Sequence, residues 1–314
     1  MTHKRYSVLP VLAAGLSAAL VSGCGSGATN TSVSFAAGPN GLPVAAAGLV
    51  ASQAQFEDLA GTKITTTGDQ ATYTLSGGSF SNASGAVAAE VTYNANNTIT
   101  LKLGADTFVL AQSGAVFTDG TVTLVPGFSG PGKVSDSIFF FGISEADPGA
   151  GQFSESFLVT GFQTPAGEIA AKSGVISYSG VASMAARETD GTTIDNRTVI
   201  DDTVDGAISM DVNFAATTPV VDGTITGSLG SDVGTGTLSL NLSGVVSGAG
   251  FSGTISQTTA NATTTGLSVT NGAFSGGFFG PGGVDVGGTF RADLSGTQLA
   301  EPTTGAGSFI GTED

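Results

Sequence analysis

Few residues of this chain have side chains suited to catalysis. Histidine occurs once, as His3, and cysteine occurs once, as Cys24. The residues after Cys24 contain neither histidine nor cysteine. They therefore cannot form a Ser-His-Asp triad, a Cys-His pair or a zinc site of histidines and cysteines. The patterns Gly-x-Ser-x-Gly and Ser-x-x-Lys, which present activated serines, do not occur. We predict that the protein is not an enzyme and has no catalytic residues.

Two short patterns suggest other kinds of site but fit them poorly. Residues 248–253, GAGFSG, have the glycine spacing of a dinucleotide site, but they lead into a strand pattern and not into a helix. Residues 201–206, DDTVDG, lack the alternating aspartates of a calcium loop. We interpret both as turns. The 25 acidic residues leave a two-carboxylate glycosidase open, although no pair stands out.

The first residues have the composition of an export signal. Lys4 and Arg5 precede an apolar stretch that is too short to span a membrane, and Val21-Ser22-Gly23-Cys24 follows it. This tetrapeptide resembles the bacterial lipobox, in which the cysteine is lipidated, although an ordinary secretory signal with an incidental cysteine is the alternative. We predict a signal peptide over 1–23 and lipid attachment at Cys24, which anchors the protein to a membrane without spanning it.

Removal of residues 1–23 leaves 7 basic residues against 25 acidic ones, a net charge of about −18. Such a surface repels nucleic acids and anionic membrane faces, so we predict no nucleic-acid partner. The excess of acidic residues keeps the protein soluble or binds a basic partner. These residues are scattered along the sequence, so they define no docking patch.

Haem binding would need an axial ligand other than histidine. The candidates after the signal are Tyr73, Tyr93, Tyr178, Met184 and Met210. Tyr178 and Met210 fall in strand patterns, where such residues more often pack in a core. We therefore predict no cofactor and no metal site, and the haem question stays open.

Alternation of apolar and polar residues dominates the chain after residue 61. In residues 207–214, AISMDVNF, the apolar side chains fall on one side, which is typical of a half-buried strand. Residues 137–144, SIFFFGIS, are continuously apolar and predict a strand covered on both faces. Residues 43–61 are the one stretch after the signal that predicts a helix. Many short strands with regular turns favour a barrel or a sandwich, and glycines inside the strands favour a barrel.

The sequence predicts four segments. Residues 1–23 are the signal and 24–48 a lipidated, flexible tether. Residues 49–165 form a smaller β-rich domain, and 166–314 form an eight-stranded antiparallel barrel. The boundary is placed in residues 164–174, TPAGEIAAKSG, which lack a strand pattern.

Residues 276–290, GGFFGPGGVDVGGTF, combine glycine and phenylalanine in an unusual density. They resemble the closing motif of the barrel domain in transferrin-binding protein B and its relatives, and the resemblance extends over 161–294. Gly283 and Asp285 stand where the family usually has alanine and glutamate. The matching residues, interpreted as structural, are Gly276, Phe278, Phe279, Gly280, Pro281, Asp285, Gly287, Gly288 and Phe290.

This resemblance implies a surface lipoprotein of the outer membrane, exported by a Slam-type translocon. It also implies a handle-like N-terminal domain whose loops, with those of the barrel, bind a host protein, haemoglobin or haem. No ligand-binding residue can be assigned from it, because the loops match no motif. We therefore weigh a non-catalytic module that binds a host protein or solute against a structural coat lipoprotein without a ligand, which the scarcity of tryptophan, tyrosine and arginine favours.

Overall fold

The computed structural model describes residues 37–47, 49–127, 134–147, 149–189, 192–200, 205–230 and 236–314. These residues form two successive antiparallel barrels with three short helices. The predicted lipid attachment site, Cys24, lies outside the described residues, as do Asp201 and Asp202 of the DDTVDG pattern.

Strands β1 to β8 close the first barrel in sequential order. Pairing of β1 with β8, from Asp69↔Phe157 to Thr74↔Gln152, completes the ring. The strands are β1 (Lys63–Ser76), β2 (Ser79–Asn94), β3 (Thr98–Leu103), β4 (Asp106–Ser113), β5 (Val116–Thr118), β6 (Val122–Gly127), β7 (Ile138–Asp147) and β8 (Gln152–Gly161).

Strands β9 to β17 build the second barrel, which closes where β9 pairs with β17 from Gly305↔Ala186 to Glu313↔Tyr178. Strands β10 and β11 share one position, because β11 pairs with the first half of β9 and β10 with the second. The ring is therefore eight-stranded. The strands are β9 (Val175–Thr189), β10 (Ile194–Ile200), β11 (Ala207–Asn213), β12 (Val220–Ser228), β13 (Thr237–Ser247), β14 (Gly250–Ser256), β15 (Leu267–Phe279), β16 (Asp285–Gly296) and β17 (Thr303–Glu313).

The all-β class and the eight-stranded C-terminal barrel are confirmed. The handle-like form expected for the N-terminal domain is not, because β1 to β8 close into a barrel of their own. The long strands β1, β2, β7 and β8 lie together on one side of this barrel, whereas β3 to β6 have only three to eight residues each.

The three described helices differ from the single helix predicted over 43–61. Helix α1 is Gln53–Asp58, capped by Ser52, whose hydroxyl accepts a hydrogen bond from the Gln55 N–H (3.2 Å). Helices α2 (Ala166–Ala170) and α3 (Thr259–Thr265) were not predicted, because each is too short to show a helical period. None of the described helices is long and apolar enough to cross a membrane.

The interior of the first barrel is filled partly from outside its strands. Phe56 of α1 is 1% exposed, and its ring centroid lies 5.4 to 5.9 Å from those of Tyr93, Phe139 and Phe141. Leu42 precedes α1 and is buried in the same core. The segment before β1 therefore plugs this barrel.

Strand β7 is covered on both faces, as its sequence predicts. Phe139 and Phe141 point into the first barrel. Ile138, on the other face, packs with Phe279 of the second barrel. The outer wall of one barrel is thus buried against the outer wall of the other.

Candidate functional site

The closing motif begins in β15 and ends in β16. Phe278 and Phe290 are fully buried in the core of the second barrel. Gly280 turns the chain with a φ of +75°, a left-handed conformation that glycine adopts without strain, and Pro281–Gly283 form a short 3-10 turn. The Tyr178 hydroxyl donates a hydrogen bond to the Gly283 carbonyl (3.0 Å), which ties this turn to β9.

Four phenylalanines and four glycines face each other across β14 to β17, and we call them the Phe–Gly block. The phenylalanines of β14 and β17 lie opposite glycines of β15 and β16. The phenylalanines of β15 and β16 lie opposite each other, and each also lies opposite a glycine of β14 or β17. The two rows of the block are Gly253-Phe274-Phe290-Gly307 and Phe251-Gly276-Gly288-Phe309.

The glycines of the block make room for rings. A Cβ on Gly276 would lie 2.7 Å from the Phe251 ring, and one on Gly288 would lie 2.6 Å from the Phe309 ring. Since neither glycine has a side chain, the Phe251 and Phe309 rings stack over them with centroids 6.2 Å apart and planes at 24°. This arrangement explains why the motif combines so much glycine with so much aromatic surface.

The motif also contacts the first barrel, which sequence reasoning missed. A Cβ on Gly287 would lie 2.8 Å from Val159 and 2.9 Å from Ile138, so this glycine lets the two walls approach. The Thr164 hydroxyl donates to the Gly280 carbonyl (2.7 Å), and the Gly280 N–H donates to the Phe162 carbonyl (2.9 Å). The residues that join the barrels are therefore hydrogen-bonded to the closing turn.

Asp285 of the motif is buried at this junction, with 4% of its surface exposed. Burial raises the pKa of its carboxyl group, although hydrogen bonds from Ser137, Ser135 and Thr312 oppose the shift. The aspartate therefore joins the first-barrel segment before β7 to the last strand of the second barrel.

Two ion pairs, one buried and one half-buried, lie between the barrels, and we call them, with Tyr73, the inter-barrel seam. In the first pair, Arg187 of β9 donates from Nε to Glu155 of β8 (3.0 Å), and Ser144 donates to the second carboxylate oxygen (2.5 Å). Glu155 is 3% and Arg187 8% exposed. Burial raises the pKa of Glu155, although Arg187 and Ser144 oppose the shift.

The second ion pair joins Asp69 of β1 to Arg291 of β16. The Thr289 hydroxyl donates to the same carboxylate (2.8 Å), and burial raises the pKa of Asp69 despite both partners. Close to the first pair, the buried Tyr73 hydroxyl donates to the Thr304 carbonyl (2.8 Å). The first barrel supplies both acids and the second both guanidinium groups, so the seam is complementary in charge.

Beside the seam lies a polar cleft of about 480 Å³. Its walls come from the first half of β2, including Asn82 and Ser84, and from the outer face of β15 and β16, including Asn271, Arg291 and Asp293. Arg291 and Asp293 are two residues apart on one strand, so both side chains face this cleft. Polar groups of both barrels therefore line this cleft.

The candidate haem ligands are engaged elsewhere. The Tyr93 hydroxyl donates to Asn97 (2.8 Å), and Tyr73 and Tyr178 donate to the backbone carbonyls named above. Met184 and Met210 are buried in the second core, with 0% and 1% of their surfaces exposed. Within the described residues, no group of three or more histidine, cysteine, aspartate or glutamate side chains could hold a metal ion.

The two weak patterns lie in turns as far as they are described. Residues 248–253 span the turn between β13 and β14 and the start of β14. Asp205, from the DDTVDG pattern, accepts a hydrogen bond from the Ser228 N–H (2.7 Å). Hydrogen bonds from Ser228 lower the pKa of its carboxyl group.

The seam was missed because its charges are separated in sequence and no motif contains them. One signal was present: Glu155 interrupts a stretch of small or apolar residues, FSESF, and Arg187 directly follows another, MAA. A charge in such a strand predicts a buried partner, since an unpaired buried charge is costly.

The fold is therefore that of an all-β protein made of two barrels that share a buried, charge-complementary wall. Residues 171–313 match the family model described as the C-lobe and N-lobe beta barrels of Tf-binding protein B. The second barrel thus matches the β-barrels of the transferrin-binding protein B family, which confirms the resemblance of the closing motif. The matched range does not include β1 to β8.

Several solved structures are similar to the chain at low sequence identity. Isotype 1 transferrin-binding protein B from serogroup B Neisseria meningitidis is 16% identical with a TM-score of 0.47, over 79% of this chain and 44% of that chain. A mutant of transferrin-binding protein B from Haemophilus parasuis Hp5 is 17% identical with a TM-score of 0.46, over 79% and 45%.

HpuA from Kingella denitrificans, solved in complex with human haemoglobin, is 15% identical with a TM-score of 0.37, over 80% of this chain and 87% of that chain. The chain spans less than half the length of the transferrin-binding protein B chains that it matches. No curated protein sequence matches it.

Proposed function

We propose that the protein is a non-catalytic surface lipoprotein of a Gram-negative outer membrane that captures a host protein or a solute. The match of residues 171–313 to the barrels of transferrin-binding protein B carries the proposal. Similar structures are named as transferrin-binding, lactoferrin-binding or haemoglobin-bound proteins. The proposed role is that of an iron- or haem-acquisition module that binds a protein.

The proposal includes an address and a division of the chain. Residues 1–23 direct export, Cys24 receives the lipid, and residues 24–48 tether the domains to the membrane. Residues 49–165 and the barrel of 166–314 together present the binding surface, after passage through an outer-membrane translocon.

The described chain suggests which end of the molecule meets the partner. Asn40, in the last part of the predicted tether, donates to the Gly161 carbonyl (2.8 Å) at the end of β8. Strands β1 and β16 lead away from this end. At their far ends, Asn82 donates to the Pro302 carbonyl (3.0 Å), and the Thr297 N–H donates to the Gly266 carbonyl (3.0 Å).

Those contacts gather α3, the turn 297–302 and the hairpin of β1 and β2 into one surface. This surface lies at the end of the strands opposite Asn40. We infer that it is the partner-binding surface.

Binding of human transferrin, lactoferrin and haemoglobin to the purified protein tests the capture of a host protein. Thr263→Arg combined with Glu301→Arg places two bulky cations on the exposed far surface. We expect the double variant to weaken binding of the recognised protein at least about tenfold, which corresponds to about 1.4 kcal/mol. Thr217→Arg, in the exposed turn after β11 at the opposite end of the second barrel, is the matched control and should leave the affinity unchanged.

Absence of micromolar binding to all three host proteins would count against this function and favour the coat lipoprotein. A separate experiment tests the address: Cys24→Ala should release the protein from the membrane fraction. A Cys24→Ala protein that stays with the membranes would overturn the lipid anchor without bearing on partner capture.

A further inference from the structure

Strand β2 has a long edge without a partner strand. It is 16 residues long, but β3 pairs only with Ala89–Asn94, which leaves residues 79–88 without a neighbour on that side. On the other side, β1 pairs with β2 without interruption from Lys63↔Thr92 to Ser76↔Ser79. The hairpin of β1 and β2 therefore extends beyond β3 with one edge open.

The backbone groups on this open edge can be identified. The Gly104 N–H donates to the Ala88 carbonyl (2.8 Å), so Ala88 points its backbone to the β3 side. Because backbone direction alternates along a strand and the register with β1 does not shift, alternate residues before Ala88 point the same way. They are Phe80, Asn82, Ser84 and Ala86, and their N–H and C=O groups have no backbone partner among the described residues.

The edge also lacks the features by which proteins usually prevent strand addition. Exposed edges are commonly interrupted by proline, lysine or a bulge, because an unprotected edge pairs with other chains. Residues 79–88, SFSNASGAVA, contain no proline and no charged residue, and the pairing with β1 shows no bulge. An edge that is left open in this way is suited to pairing.

The polar cleft described above runs beside this edge. Its volume of about 480 Å³ lies within the range of about 300–1,000 Å³ that is common for ligand sites. Arg291 in the cleft is already neutralised by Asp69. Asp293 accepts a hydrogen bond from Asn271 (3.2 Å), and none of the described cations forms an ion pair with it. The cleft therefore favours a basic side chain.

We propose that the open edge of β2 binds an extended segment of the partner protein by strand addition. The segment's backbone pairs with Phe80, Asn82, Ser84 and Ala86, and alternate side chains enter the cleft, where a lysine or arginine meets Asp293. Main-chain bonds then provide affinity and the cleft provides specificity, as in other cases of β-strand addition. This inference rests on the proposed capture of a protein and names its recognition mode.

A library of random 12-residue peptides displayed on phage, selected against the purified protein, provides the probe. We expect selected peptides to carry a lysine or arginine, and to protect the Ser84 and Ala86 amides from hydrogen exchange. Ser84→Pro removes one outward N–H without removing a bond to β1, and it should weaken peptide binding at least about tenfold. Asp293→Asn should weaken basic peptides severalfold and leave uncharged peptides unaffected.

Gly85→Ala is the matched control, because a Cβ there meets nothing within 4 Å and the outward N–H groups stay. It should bind peptides like the unchanged protein. If Ser84→Pro does not fold, Asn82→Lys combined with Ser84→Lys blocks the edge with charge instead.

Peptides that bind Ser84→Pro with unchanged affinity, or a selection that yields no binder, would overturn the inference. A dimer that Ser84→Pro dissociates would also overturn it, because the edge would then serve a second copy. Binding of a host protein with no effect of Ser84→Pro would refute the recognition mode alone. Edge-dependent peptides without any host-protein binding would refute the proposed function alone.

Discussion

The two barrels fill their interiors in different ways. In the first, Phe56 comes from a helix that precedes the barrel and inserts among rings supplied by β2 and β7. In the second, the Phe–Gly block belongs wholly to four consecutive strands, and each ring lies over a glycine of the neighbouring strand. A barrel that is filled from its own strands needs particular residues at particular register positions. A barrel with a plug needs only an apolar lining, which many sequences satisfy.

Removal of the plug is expected to have the largest effect. Phe56→Ala should lower the free energy of unfolding by about 3–5 kcal/mol, because it leaves a cavity among rings that cannot close around it. Urea unfolding followed by circular dichroism measures the change. Val109→Ala, at a side chain that is 61% exposed, should stay within about 0.5 kcal/mol of the unchanged protein. Equal effects of the two variants would show that the first barrel does not depend on its plug.

The seam tests whether the barrels depend on each other. Arg187→Met should cost about 3 kcal/mol or more at neutral pH, because it leaves Glu155 buried without its partner. Thermal unfolding measures the cost. Lys63→Met breaks the exposed pair with Glu90, in which the lysine is 68% exposed, and should cost less than about 1 kcal/mol. If Arg187→Met lowers the stability no more than Lys63→Met does, the barrels do not depend on the seam for their stability.

The plug is sensitive to loss of side-chain volume, whereas the Phe–Gly block is sensitive to added volume. Gly288→Ala should lower stability by about 1–3 kcal/mol, because the new methyl group meets the Phe309 ring and the Ser275 carbonyl at 2.6 and 2.3 Å. Gly85→Ala in the first barrel meets nothing and is the control. The melting temperatures of the two variants give the comparison, and a neutral Gly288→Ala would contradict the proposed packing.

The smallest expected effect concerns pH. Burial raises the pKa values of Glu155 and Asp69 above those of the unfolded chain. The folded protein therefore binds more protons than the unfolded chain just above the unfolded pKa values, which are about 4, and stability is lost as the pH rises through the folded values. We expect the melting temperature to rise as the pH falls from neutral towards the unfolded pKa values. Glu155→Gln with Asp69→Asn should reduce this rise, and an undiminished rise would assign it to other carboxylates.

The strands, the barrel class and the closing motif could be predicted because each is encoded by neighbouring residues. The period of AISMDVNF and the glycines of 276–290 are local signals, and the buried Ile208, Met210, Val212 and Phe278 agree with them. The pairing across the seam could not be predicted, because Asp69 and Arg291 are separated by 222 residues and meet only after both barrels have formed. The open edge of β2 follows from the shortness of β3, which depends on how the first barrel closes.

The distribution of charge across the seam has a consequence for domain exchange. Both acids come from the first barrel and both arginines from the second. The two contact surfaces are therefore not interchangeable. A first barrel taken from another protein would form these contacts only if it carried carboxylates at the positions of Asp69 and Glu155. It would also need a hydroxyl group at the position of Tyr73. The seam thus determines which barrels can pair. Loops outside it can differ in sequence without affecting the contact between the barrels.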